Sequence, residues 1–160
     1  MMDFRPVGYV IGLFLLGIGA LMLAPAFLDA VSSTGKGGWR AFVVSFILTV
    51  LVGGALTLGC FNGRQEKLQV DQALLMVVAS WVVVPLFGAL PFMLGPGAME
   101  PVDAIFEAVS GLTTTGSTVM QRLGVQPPGL LLWRALLQWL GGSGIIVFGI
   151  AFLPSLRLGG

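Results

Sequence analysis

Residues 103–119 read DAIFEAVSGLTTTGSTV, and the fold turns on this stretch. Ile105, Phe106, Val109 and Leu112 recur at helical spacing, so the segment predicts a short amphipathic helix over 103–112. Asp103, just after Pro101, is its expected N-cap. The chain then changes character, and Thr113 to Thr118 form a run of hydroxyl residues around Gly116. Ten residues of helix reach only about 15 Å, half of a hydrocarbon core about 30 Å thick. Inside a membrane, a helix of this length enters and must turn back.

The surroundings place it in a membrane. Of 160 residues, 56% are hydrophobic and only 9% charged, against about 25% charged in an average soluble domain. Mean hydropathy is +0.98. Such a chain cannot cover a water-facing surface. A net charge of +1 offers no basic field for nucleic acid. Histidine is absent, and the single cysteine, Cys60, reads as a small buried apolar residue with no disulfide or metal partner. There is no nucleophile paired with a base, no glycine loop followed by lysine to cradle phosphate, and no metal set. These absences leave an enzyme or an organic cofactor without support.

Four apolar runs are long enough to span: Val7–Leu28, Trp39–Phe61, Val70–Leu94 and Leu130–Leu153. Arg5 and the sequence APA at 24–26 imitate a signal peptide, but the first run exceeds the usual h-region of about 7–15 residues. It is therefore expected to be a retained span. Turn-forming stretches at 32–38, 62–67 and 94–101 separate the first three spans and end the third. The expected fold is an all-α integral membrane protein with four transmembrane helices plus one re-entrant pore helix and loop. Residues 1–68 form an N-terminal helix pair, and residues 69–160 form a helix, pore loop, helix module. Within that module the spans lie near 70–94 and 130–153, the short helix at 103–112 and the loop at 113–118.

Basic residues do not fix the orientation. Arg5, Arg64, Lys67 and Arg157 fall on one side, and Lys36, Arg40, Arg122 and Arg134 on the other. The concentration of Arg64 and Lys67 in one short loop favours a cytoplasmic N-terminus. Glu100, Asp103 and Glu107 then sit at an outer mouth, where they would concentrate cations.

Irregular backbone at membrane depth is tolerated only where it is buried in protein or lines a wet cavity. A partly dehydrated monovalent cation needs several oxygens of partial negative charge, which backbone carbonyls supply in K⁺ filters. Turning successive carbonyls towards one axis requires angles that glycine permits. Thr113, Thr114 and Thr115 before Gly116, with Ser117 and Thr118 after it, match that recipe. A Ser/Thr-rich turn between two spans is the plainer reading of the same residues. The preceding helix would aim the negative end of its dipole at the loop.

The segment resembles the Trk/Ktr/HKT superfamily of K⁺ transport proteins, most closely the bacterial TrkH/TrkG branch. DAIFEAVSGLTTTGSTV, GALPFMLG at 88–95 and WRALLQWLGGSGIIVFGIAFLPSLRLGG at 133–160 carry the resemblance, and the first two spans match the family's extra helix pair. The resemblance implies a pseudo-tetramer of four modules around a central K⁺ path, a cytoplasmic N-terminus and a filter near the outer face of a bacterial inner membrane. It implies Gly116 as the filter glycine, Thr114 and Thr115 as K⁺ carbonyl donors, and Thr113 and Ser117 as flanking positions. It also implies a cytosolic nucleotide-binding regulatory subunit of the TrkA/KtrA type. Family members carry four modules, and this sequence holds one, so it is expected to be an N-terminal fragment or a truncated frame; a homotetramer is the alternative. Two other functions stay open: a non-conducting, lipid-embedded assembly piece, and a broken-helix carrier for another small solute.

Glu107 is an intramembrane acid and a functional candidate by default. Its expected role is filter support, with Thr118 beside it: accepting hydrogen bonds from nearby backbone N–H groups or pairing with Arg134. Gly141, Gly142, Gly144 and Gly149 suggest close helix packing ahead of a hinge, and Gly8 with Gly12 a further packing face. Trp39 and Trp133, near span ends, are expected interfacial anchors.

Overall fold

The structure, a computed structural model, is described for residues 4–32, 37–62, 70–121 and 123–156, with side chains for all but Val70 and residues 145–156. Lys36, Arg64, Lys67, Arg122, Arg157 and the packing of Gly149 lie outside the description. Among the described residues six α-helices follow in order: α1 (Arg5–Val31), α2 (Trp39–Gly59), α3 (Val70–Gly88), α4 (Leu90–Leu94), α5 (Pro101–Leu112) and α6 (Pro128–Leu156). Among the described residues, Arg5–Val31, Trp39–Gly59 and Asp71–Leu94 are long and apolar enough to cross a membrane. With its 29 residues, α6 is about 43 Å long. The chain is thus an all-helical integral membrane protein.

Lipid tails are as apolar as leucine, so helices in a membrane associate through close packing, and small residues let backbones approach. Glycines set the antiparallel register of α1 on α2. A Cβ on Gly12 would lie 2.8 Å from the Gly53 oxygen and the Thr57 nitrogen, and one on Gly53 would lie 2.9 Å from the Leu15 Cβ. One on Gly8 would meet the Cys60 sulfur at 2.7 Å, and one on Gly19 the Val50 Cγ2 at 2.9 Å. Buried Ser45 and Thr49 in α2 return their hydroxyl protons to the carbonyls of Ala41 and Ser45, one turn back, and so need no partner from lipid.

The module packs against this pair. Val7, Ile11 and Leu15 of α1 meet Leu75, Met76, Ala79 and Val83 of α3. Ile18, Met22 and Ala26, farther along α1, join Phe42 of α2, Phe92 of α4, Ala104, Ala108 and Leu112 of α5, and Trp133 and Leu137 of α6 in the main core. The third span is interrupted at Ala89 because Pro91 has no N–H to continue the ladder. Phe92 donates to the Ala89 oxygen instead of that of Gly88. The released Gly88 carbonyl accepts the Trp133 indole N–H at 2.9 Å. Trp133 is therefore fully buried, edge-on to Phe42 at 6.3 Å, and not the interfacial anchor expected from its place in the sequence.

Helix α5 begins two residues before the expected start. Its N-cap is Glu100, which makes no side-chain capping bond, and Asp103 lies in the first turn. This corrects the expected cap, because Pro101 takes a first helical position where a missing N–H costs nothing. Asp103 still lies near the positive end of the helix dipole.

Candidate functional site

The descent and return of the chain between α4 and α6 can be followed by contacts alone. Gly95, after α4, lies beside Leu130 at the start of α6. From there α5 runs alongside α6: Gly111 abuts Leu137, and the Leu112 backbone presses on Gly141. A Cβ on Gly141 would lie 2.6 Å from the Leu112 carbonyl carbon and nearer still to its oxygen. Gly141 is about 18 Å along α6 from Gly129. The loop then climbs back, since the Gly116 carbonyl meets Arg134, nearly two turns nearer the start of α6.

The end of α5 is a Schellman motif. The Thr114 N–H donates to the Gly111 oxygen at 2.9 Å, and the Thr115 N–H to the Ser110 oxygen at 3.1 Å. Glycine usually holds the left-handed position of this motif, but here Thr114 does, with φ +57°. A β-branched residue in that region costs roughly 1–2 kcal/mol. Strain of this kind concentrates at functional segments. Gly116, two residues on, has φ +76°, and a Cβ there would touch little beyond the Gln138 amide at 4.0 Å. It is backbone conformation that asks for glycine at 116.

Glu107 is fully buried and binds three groups. One carboxylate oxygen accepts the Arg134 Nε–H in an ion pair. The other accepts the Thr118 hydroxyl at 3.0 Å and the Val119 N–H at 3.1 Å. Arg134 also donates through Nη2 to the carbonyls of Gly116 at 2.8 Å and Ser117 at 3.4 Å. The Ser110 hydroxyl also donates to the Ser117 carbonyl, at 2.6 Å. Glu107 thus accepts loop N–H and hydroxyl groups and pairs with Arg134 at once, tying α5, the returning loop and α6 together.

These bonds divide the loop. The Gly116 and Ser117 carbonyls are engaged on the protein side. Among the described residues no donor reaches the carbonyls of Thr113, Thr114 or Thr115. The hydroxyls of Thr113 and Thr115 pair with each other at 2.8 Å, and that of Thr113 also donates to the Val109 oxygen. All of 113–119 is exposed in this chain. Among the described residues no group of His, Cys, Asp and Glu could hold a metal ion.

Two participants escape the sequence reading. Ser110 looks like a small helix residue until the fold brings it to Ser117. Asp29 in α1 is only 3% exposed, and its Oδ1 accepts the Gly129 N–H at 2.6 Å. It is the sole acid in the first helix, a signal the sequence carried, because an ionisable residue within a span is a functional candidate. The expected span ended one residue short of it.

The helical fold, with three described helices long and apolar enough to cross a membrane, defines a polytopic membrane protein. The TrkH family model, described as a cation transport protein, matches residues 39–160, and the chain belongs to that family. It is 40% identical over 160 residues to the Trk system potassium uptake protein TrkH of Halomonas elongata, covering 99% of this chain and 33% of that protein. It is 31% identical to the Trk system potassium uptake protein TrkG of Escherichia coli, covering 98% and 32%. The crystal structure of the potassium transporter TrkH from Vibrio parahaemolyticus superposes with a TM-score of 0.87 at 36% identity, covering 99% of this chain and 33% of that one. The chain spans about a third of the length of these relatives.

Proposed function

We propose that this chain supplies the helix pair and first pore module of a potassium uptake transporter. Dehydrated K⁺ would pass along backbone carbonyls of the loop after α5. The division of the loop carbonyls carries the reading. Arg134 and Ser110 hold Gly116 and Ser117 from behind, and the carbonyls of Thr114 and Thr115, with Thr113 beside them, are left for an ion. Gly116 supplies the backbone turn, while Glu107, Arg134 and Thr118 keep the loop in place. The relatives' names as potassium uptake proteins support K⁺ as cargo. One loop gives a quarter of a ring, so the remaining modules come from the same longer chain or from further copies. A cytosolic nucleotide-binding subunit of the TrkA/KtrA type is the proposed regulator. The proposed setting is a bacterial inner membrane with the N-terminus cytoplasmic.

The test is K⁺-limited growth and Rb⁺ uptake in cells lacking their own K⁺ uptake, carrying the complete gene. Gly116→Arg should abolish both at unchanged membrane abundance. Uptake untouched by that change would refute the filter assignment. Rescue by residues 1–160 alone, with crosslinked tetramers, would assign the other loops to further copies.

A further inference from the structure

We infer that Asp29 is a positioning residue through which the N-terminal helix pair sets the filter loop, an inference that rests on the filter reading above. Asp29 lies in the last turn of α1, and Gly129 is the second residue of α6. Their hydrogen bond joins residues 100 positions apart. It satisfies an N–H that the first turn of a helix leaves without an internal partner, and it sets a carboxylate at the positive end of α6. The junction is tight, because a Cβ on Gly129 would lie 2.6 Å from the Asp29 Cγ and Oδ2 and from the Pro25 oxygen. Glycine at 129 leaves room there for the Asp29 side chain and lets the Pro25 carbonyl come close to α6.

What makes this more than a packing contact is where the rest of α6 leads. Four residues on, Trp133 is bonded to the Gly88 carbonyl, fixing the same end of α6 to the third span. The next residue is Arg134, whose guanidinium holds the Gly116 and Ser117 carbonyls and the Glu107 carboxylate. A helix behaves as a stiff rod over so short a stretch. A shift of its first turn against α1 is therefore carried to Arg134 and to the loop carbonyls that Arg134 orients. Asp29 gives the helix pair a polar hold on the module. Oδ2 has no partner among the described residues, so an asparagine, which keeps an acceptor for the Gly129 N–H, reproduces the hold without the charge.

The experiment compares Asp29→Ala, Asp29→Glu and Asp29→Asn in the complete gene, normalised to membrane abundance, by the K⁺ dependence of uptake and its inhibition by Na⁺. Asp29→Ala removes the hold, and Asp29→Glu forces an extra methylene into the tight junction. Each should raise the half-saturating K⁺ concentration or weaken K⁺ over Na⁺ preference by about threefold or more. Asp29→Asn should stay within about twofold of the parent. If Asp29→Ala is lost from the membrane, the Glu and Asn variants carry the comparison. A lower abundance or maximal rate with unchanged half-saturation and ion preference would overturn the inference. So would an Asn variant as impaired as the Glu variant. Gly116→Arg runs alongside: if it leaves uptake intact, the filter reading itself fails, whereas if it abolishes uptake and Asp29 changes do nothing, only the role of Asp29 falls.

Discussion

Gly141→Ala adds one methyl group and should cripple the module, although alanine is the better helix former by about 1 kcal/mol. The added Cβ would lie 2.6 Å from the Leu112 carbonyl carbon and 2.9 Å from its Cα, inside the 3.0 Å that real Cβ atoms keep. Both obstacles are backbone, so no rotamer change relieves them. Either α6 or the end of α5 must move, by on the order of 1 Å, at a cost of about 1–3 kcal/mol for overpacking. That outweighs the propensity gain. The displaced segment is Leu112, two residues before the strained Thr114 and next to the first of the free carbonyls, that of Thr113. Neighbouring glycines provide the control: a Cβ on Gly142 would meet only the Thr114 Cγ2 at an ordinary 3.6 Å, and one on Gly144 would meet nothing within 4 Å. Gly142→Ala and Gly144→Ala should therefore keep uptake and melt at or above the parent temperature in detergent. Gly141→Ala should lower both uptake and melting temperature. Equal behaviour of the 141 and 144 variants would refute the claimed contact.

Other changes follow from the same geometry. Glu107→Gln breaks a buried pair from one side and should destabilise by about 3–5 kcal/mol; thermal melts should also show Glu107→Gln with Arg134→Gln to be less than additive. Thr114→Gly relieves the left-handed strain and should preserve or raise thermal stability by up to about 1 kcal/mol, whereas a clear loss would mean that the threonine conformation carries no strain. Gly116→Ala, where space is open but φ is +76°, should cost roughly 1–2 kcal/mol in the same assay. In the helix pair, Gly12→Ala should splay α1 from α2 and lower the yield of folded protein, while Gly17→Ala, with nothing within 4 Å, should not. Similar yields for the two would argue against the crossing at Gly12 and Gly53.

Composition and hydropathy alone were enough to read the membrane class, the first three spanning runs and the half-length of the helix before TTTGST. Those properties follow from counts of apolar residues against a fixed hydrocarbon thickness, and they need no neighbour to be read. The same reasoning singled out Glu107 and Arg134, since charge in an oily chain stands out locally. Which partners these residues meet, and which glycines matter, depends on how the helices pack. Gly141, Gly142 and Gly144 look alike in sequence, and just one faces the Leu112 backbone. Trp133 looked like an anchor at a span end, yet the carbonyl freed near Pro91 draws it into the core. Thr114 occupies a backbone region that its residue type disfavours, because the motif closing α5 demands a left-handed residue there. Asp29 and Gly129 stand 100 positions apart, and no local pattern links them. Hydropathy is summed along the chain, but register, backbone handedness and close approach are set by what packs across it.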